Sequence, residues 1–129
     1  SKSKNNIIDV FLPEKQLRKQ VMGIATDSTP LEAPKNPDTC TAFSLYQQLA
    51  TPAQIQEMHD NYTAGGYGYG HAKQALYEAL LTKFDTARTR FNHYMADTNA
   101  MEEILKRGAD RAQETANSVL QRVRTQLGF

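Results

Sequence analysis

The sequence predicts an all-α fold, a bundle of five or six helices with a long central helix hairpin. Three observations predict it. Apolar residues recur at the 3.6-residue period of an amphipathic helix along most of the chain. Proline- and glycine-containing breaks separate the periodic stretches. No stretch carries the alternation of a half-buried strand.

Pro13 presets φ for a first helical turn with Glu14 beside it, and Leu17, Val21, Ile24 and Ala25 follow at i, i+4, i+7 and i+8. This predicts a helix over about 13–26 whose exposed face carries Lys15, Arg18 and Lys19. Thr26-Asp27-Ser28-Thr29-Pro30 ends it, and Pro34 and Pro37 keep the chain extended to about residue 38, because proline biases its predecessor away from αR. A second helix, about 38–50, places Phe43, Tyr46 and Leu49 on one stripe. Thr51-Pro52-Ala53-Gln54 then supplies an N-cap, a proline at the first helical position and a reciprocal capping glutamine, opening a third helix over 52–64 that buries Ile55, Met58 and Tyr62.

Gly65-Gly66-Tyr67-Gly68-Tyr69-Gly70 breaks the pattern, since four glycines in six positions permit positive φ and close backbone approach. From His71 a long helix keeps Ala72, Leu76, Leu80, Phe84, Phe91 and Tyr94 on a stripe, and Asp97 to Asn99 form a turn. The last helical region starts with Met101, Ile104 and Leu105, kinks at Gly108, and runs through Val119, Leu120 and Val123 to a stop at Gly128.

A chain of 129 residues is one domain by the length rule, able to bury roughly two-thirds of its unfolded surface without disulfide or metal. With 40% hydrophobic and 22% charged residues it reads as globular rather than disordered. Cys40 is the one cysteine, set at the start of a core-facing helix, and points to a reducing compartment. No apolar run approaches the roughly 20 residues that span a bilayer, and the N-terminus lacks the long apolar stretch of a signal peptide; a cytoplasmic, membrane-free protein is expected.

The net charge of +1 argues against a dedicated non-specific nucleic-acid binder, but the charge is uneven. Residues 1–19 carry five Lys/Arg against two acids, residues 20–72 hold Lys35 alone against five acids, and residues 73–129 carry nine basic against seven acidic residues. An anionic partner is expected to meet the two ends.

Metal and nucleophile arrangements are not expected, because His59, His71 and His93 lack ligand spacing and Cys40 has no cysteine partner. Glu102-Glu103, near a helix start, fits the helix dipole better than acid–base chemistry. The glycine–tyrosine loop neither follows a strand nor carries a P-loop lysine. Two readings stay open for it: a tight interhelix turn with Tyr67 or Tyr69 packed into the bundle, or an exposed tyrosine that stacks an unpaired RNA base. The opening Ser1-Lys2-Ser3-Lys4-Asn5-Asn6, taken alone, is a solvated tail; beside the apolar anchor Ile7-Ile8-Asp9-Val10-Phe11-Leu12 it is also suited to gripping a polyphosphate.

Read in order, these pieces identify a family. Ser1-Lys2-Ser3 matches the last three residues of a Lys-Met-Ser-Lys-Ser loop, with Lys4-Asn5-Asn6-x-Ile8 behind it. A basic helix ending in Thr26-Asp27-Ser28, the Asn36-Pro37-Asp38 entry, Gly68-Tyr69-Gly70-x-Ala72-Lys73, Gly108-Ala109 and a terminal helix closing on Leu127-Gly128-Phe129 follow. The chain resembles the C-terminal part of bacterial-type tryptophanyl-tRNA synthetases, class I aminoacyl-tRNA synthetases, beginning within that signature.

The resemblance implies a ligase that activates tryptophan with ATP and Mg2+ and transfers it to tRNA(Trp) in cytoplasmic protein biosynthesis. It implies a catalytic role for Lys2, at the β- and γ-phosphates, with Ser1 and Ser3 completing the ATP-binding loop. Residues 1–12 become a catalytic-loop remnant and linker, and 13–129 a helical anticodon-binding domain with Tyr67, Tyr69, Lys73, Arg107 and Arg111 as tRNA-binding candidates. Arg88 belongs to the wider set of basic residues that could meet RNA phosphates. The bundle is expected to carry the Lys2 loop between open and closed positions. The full-length enzyme is expected to be a homodimer, and this chain alone monomeric, without cofactor and non-catalytic. The competing classes are a free-standing helical RNA-binding module and a protein-interaction scaffold.

Overall fold

The computed structural model describes residues 7–128, so Ser1, Lys2 and Ser3 lie outside the described residues. Among those described, five α-helices and one 3₁₀ turn occur, with no strand. Helix α1 spans Glu14–Met22, with Pro13 at its N-cap. Leu17 and Val21, one turn apart, are fully buried. The helix ends earlier than the apolar period suggests. Gly23 turns the chain with its N–H donating to the Lys19 and Gln20 carbonyls, both at 3.1 Å. Ile24 lies beyond the helix yet still packs partly buried on the core.

The following stretch is irregular up to a 3₁₀ turn at Pro37–Thr39, whose entry is capped by the Asn36 side chain accepting from the Asp38 N–H at 2.9 Å. Helix α2 covers only Thr41–Tyr46, against the longer helix expected, because Cys40 adopts an extended conformation between it and the 3₁₀ turn. Helix α3, Pro52–Ala64, has the bounds and the reciprocal Thr51–Gln54 capping box that its sequence predicts.

Two long helices follow: α4, Tyr69–Ala96, and α5, Thr98–Leu127. The turn between them is a single residue, Asp97, whose carboxylate accepts from the Ala100 N–H at 3.0 Å. Helix α5 runs unbroken through Gly108, where the sequence predicts a kink. One interior glycine weakens a helix by about 1 kcal/mol relative to alanine, too little to break a long one. Gly128 closes α5 in the left-handed region, φ +79°.

The chain divides into two compact units, Ser1–Arg88 and Thr89–Phe129. In the first, Leu17, Val21, Phe43, Tyr46, Met58, Tyr62, Leu76 and Leu80 form a core shared by α1 to α4. The stripe along α4 is buried only to Leu80, and Phe91 and Tyr94 are exposed. In the second unit no residue of α5 is buried: Ile104, Leu105, Val119, Leu120, Val123 and Leu127 are 44–68% exposed. No helix among the described residues is long and apolar enough to cross a membrane.

Candidate functional site

The glycine–tyrosine turn and the proline-containing stretch after α1 form one fastened structure. Gly65 sits at φ +82°, ψ 172°, a region essentially reserved for glycine, and a Cβ there would collide with the Glu32 carbonyl oxygen. The Gly66 N–H donates to the Leu31 carbonyl at 3.0 Å, and the Lys35 N–H donates to the Tyr62 carbonyl at 2.7 Å. Close backbone approach is thus what this turn uses its glycine for.

Lys35 is 4% exposed. Its ammonium donates to the carbonyls of Pro30, Leu31 and Ala33 at 3.0, 3.1 and 3.2 Å and lies 5.5 Å from the centre of the Tyr69 ring. The charge is met by three acceptors and an aromatic face, which makes a buried lysine tenable. In the sequence Lys35 stands out only as an isolated charge; its place between Pro34 and Pro37 in an acidic stretch is the one signal of a structural role.

Both tyrosines pack inward. Tyr67 and Tyr69 are half-buried, with ring centres 5.7 and 5.9 Å from that of Tyr62, and Tyr67 also stacks on His71 at 5.6 Å. The Tyr69 hydroxyl donates to Asp27 Oδ1 at 2.7 Å, just beyond the end of α1. Hydrogen bonds from Thr29 and then Tyr69 hold the Asp27 carboxyl below its ordinary range, while burial and then donation to Asp27 push the Tyr69 hydroxyl up. Burial likewise raises Tyr67. Tyr62 is raised furthest, by burial and by its contact with the buried Cys40, whose sulfur lies 3.2 Å from the Tyr62 oxygen. A cavity of about 240 Å³ lined by Thr26, Asp27, Thr39, Cys40 and Tyr69 adjoins this network. Its lining groups accept and donate hydrogen bonds, and among the described residues none of them is a cation suited to phosphate.

The basic candidates separate into two kinds. The Lys73 ammonium donates to the Met22 carbonyl at 3.2 Å and so caps the last turn of α1. Arg88, a phosphate-contact candidate by its charge, donates instead to the Val10 carbonyl and to the Leu12 carbonyl, the latter at 3.0 Å. Arg107 and Arg111 stand exposed on α5, four residues apart and therefore on one face. Tyr67, Tyr69 and Lys73 belong to the first unit, and Arg107 and Arg111 to the second.

The comparisons with known proteins bear on the whole chain. No family model matches it. All 129 residues align with tryptophan–tRNA ligases of Rhodopirellula baltica at 43% identity, Fusobacterium nucleatum at 38% and Campylobacter jejuni at 37%. The chain spans about 40% of the length of these curated relatives. Its whole length also superposes on the crystal structure of tryptophanyl-tRNA synthetase from Campylobacter jejuni complexed with ADP and tryptophan, with a TM-score of 0.93 at 36% identity, covering 40% of that chain.

A helical body carrying this order of turns and caps is therefore homologous to part of an aminoacyl-tRNA synthetase. Within that class the chain belongs with the bacterial tryptophanyl-tRNA synthetases, of which it represents one part.

Proposed function

We propose that the chain is the C-terminal, anticodon-recognising part of a tryptophan–tRNA ligase, together with the end of its ATP-phosphate loop. The observation that supports this most is the correspondence over all 129 residues, at 43% identity and a TM-score of 0.93 to proteins of that class. The whole ligase activates tryptophan with ATP, releasing pyrophosphate, and passes the amino acid to tRNA(Trp) in the cytoplasm, as a homodimer using Mg2+ with its ATP. Lys2 is assigned to the β- and γ-phosphates, with Ser1 and Ser3 orienting the loop. An ammonium that meets the phosphates mainly as charge builds on departing pyrophosphate raises turnover rather than ground-state affinity. A chain spanning about 40% of the length of its relatives is expected to form no adenylate by itself.

For tRNA, Arg107 and Arg111 are the candidates with side chains free for phosphate; Tyr67, Tyr69 and Lys73 contribute by fixing the shape of the first unit. In the full-length ligase, replacing Arg107 and Arg111 together by Ala should raise the tRNA KM about tenfold. It should also flatten the slope of log affinity against log salt by about one for each phosphate that is no longer neutralised. Tryptophan-dependent pyrophosphate exchange should be unchanged. An unchanged tRNA KM would remove these two residues from the interface.

A second reading has one observation in its favour. The exposed apolar side chains of α5 are what a protein-interaction scaffold requires. That reading expects no tRNA affinity at any salt concentration, so the same titration separates the two.

A further inference from the structure

The cavity beside the Asp27–Tyr69 bond has a lining that selects one kind of ligand group. Its volume is about 240 Å³, and Ala25, Thr26, Asp27, Thr39, Cys40 and Tyr69 line it. That is smaller than the roughly 300–1,000 Å³ of sites for drug-sized molecules and suits a single planar base. Asp27 is exposed, and the Thr29 N–H and the Tyr69 hydroxyl both donate to its Oδ1, at 2.9 and 2.7 Å. A carboxylate has about four acceptor sites on its two oxygens, so these bonds orient the group and leave Oδ2 able to accept. The Thr39 hydroxyl donates to the Asn36 carbonyl at 3.3 Å, which leaves its lone pairs for a ligand. Across residues 20–72 the only Lys or Arg is Lys35, whose ammonium is buried on three carbonyls. Such surroundings disfavour a phosphate and favour an amino group.

We propose that this cavity receives one unpaired anticodon base, whose exocyclic amino group donates to Asp27. The proposal rests on the reading of the chain as the anticodon-recognising part of the ligase. The anticodon complementary to the tryptophan codon UGG is CCA, and each of its three bases carries an exocyclic amine, N4 of cytosine or N6 of adenine. A keto base in the same place, uracil for cytosine or guanine for adenine, turns an oxygen toward the carboxylate and leaves two acceptors face to face without a proton. Phosphate contacts position an RNA and base-edge contacts specify it; Asp27 is assigned the second task.

The test is aminoacylation by the full-length ligase of tRNA(Trp) transcripts carrying the parent anticodon or one of three single swaps, uracil for either cytosine or guanine for the adenine. Parent, Asp27→Asn and Tyr69→Phe enzymes are compared, with thermal melts to check folding. The parent should lose at least about tenfold in kcat/KM for tRNA on the swap at the base that Asp27 meets. In Asp27→Asn the donors from Thr29 and Tyr69 keep the amide oxygen at the Oδ1 position and turn the amide NH2 to where Oδ2 was. The preference at that one position should therefore fall about tenfold or reverse, while the other two positions keep theirs. A structural role alone lowers kcat/KM for every transcript alike and does not favour a keto base. Unchanged discrimination at all three positions in Asp27→Asn, or an equal loss on every transcript, overturns the proposal. A parent that distinguishes none of the swaps overturns the underlying anticodon reading instead. If Asp27→Asn fails to fold, Tyr69→Phe, which removes a donor that orients the carboxylate, should weaken discrimination at one position only, about twofold to fivefold. Unchanged discrimination there overturns the proposal.

Discussion

Asp27 and Tyr69 join the end of α1 to the start of α4 through a single short hydrogen bond, 2.7 Å between the hydroxyl and Oδ1. Asp27 is exposed, and its carboxyl is held below its ordinary value of 3.8, first by Thr29 and then by Tyr69. A group with a depressed folded pKa adds stability that is fully present above its unfolded value and is lost as pH falls through the lower folded value. Asp27→Asn is therefore expected to melt below the parent at neutral pH, with the difference closing as pH falls below 3.8. A pH-independent difference in thermal melts would show that the charge of Asp27 contributes nothing. At this scale the sequence is a partial guide. It leaves Tyr67 and Tyr69 open between packing and base stacking, and the structure sets both half-buried rings beside Tyr62. The carbonyl partners of Lys35, Lys73 and Arg88 are not legible in it, because burial and tertiary folding, rather than local pattern, bring each ammonium or guanidinium to its acceptors.

Among the helices, local chemistry and tertiary context divide what can be read. The bounds of α3 follow from Thr51, Pro52 and Gln54, all within one turn, and the structure has them as read. Helix α1 stops at Met22 rather than near 26, where Gly23 offers a low-strain exit and Lys73 takes the Met22 carbonyl, a partner 51 residues away. Helix α2 is short because Cys40, its extended N-cap, is packed against Tyr62. Gly108 leaves α5 continuous, since its helical cost is small and α5 is long. Space is open around a Cβ at Gly108, so Gly108→Ala should stabilise α5 by about 0.5–1 kcal/mol. Helicity followed by circular dichroism through a thermal melt checks this; a lower midpoint would contradict an ordinary helical geometry at that position.

Across the whole molecule, the helical class and the pair of long helices are legible from periodicity alone, whereas the division at Arg88 is not. The apolar stripe of α4 continues in sequence to Tyr94, yet burial stops at Leu80, because periodicity records which face is apolar and not what covers it. The same reasoning applies to α5, whose apolar face is plain in the sequence and exposed in the structure. The charge pattern sets basic residues at both ends of the chain, and their side chains differ in what they meet. Lys73 and Arg88 direct their charges to backbone carbonyls, whereas Arg107 and Arg111 stand exposed on α5. On the proposed function, RNA phosphates meet the second unit, while the first unit holds the linker to the ATP loop.

On the proposed function, this helical body meets the anticodon arm of tRNA(Trp). Photo-crosslinking of full-length ligase to tRNA(Trp) bearing a reactive base in the anticodon loop, followed by mapping of the crosslinked peptides, tests it directly. The crosslinks should fall within residues 13–128; crosslinks confined to the rest of the ligase would contradict it.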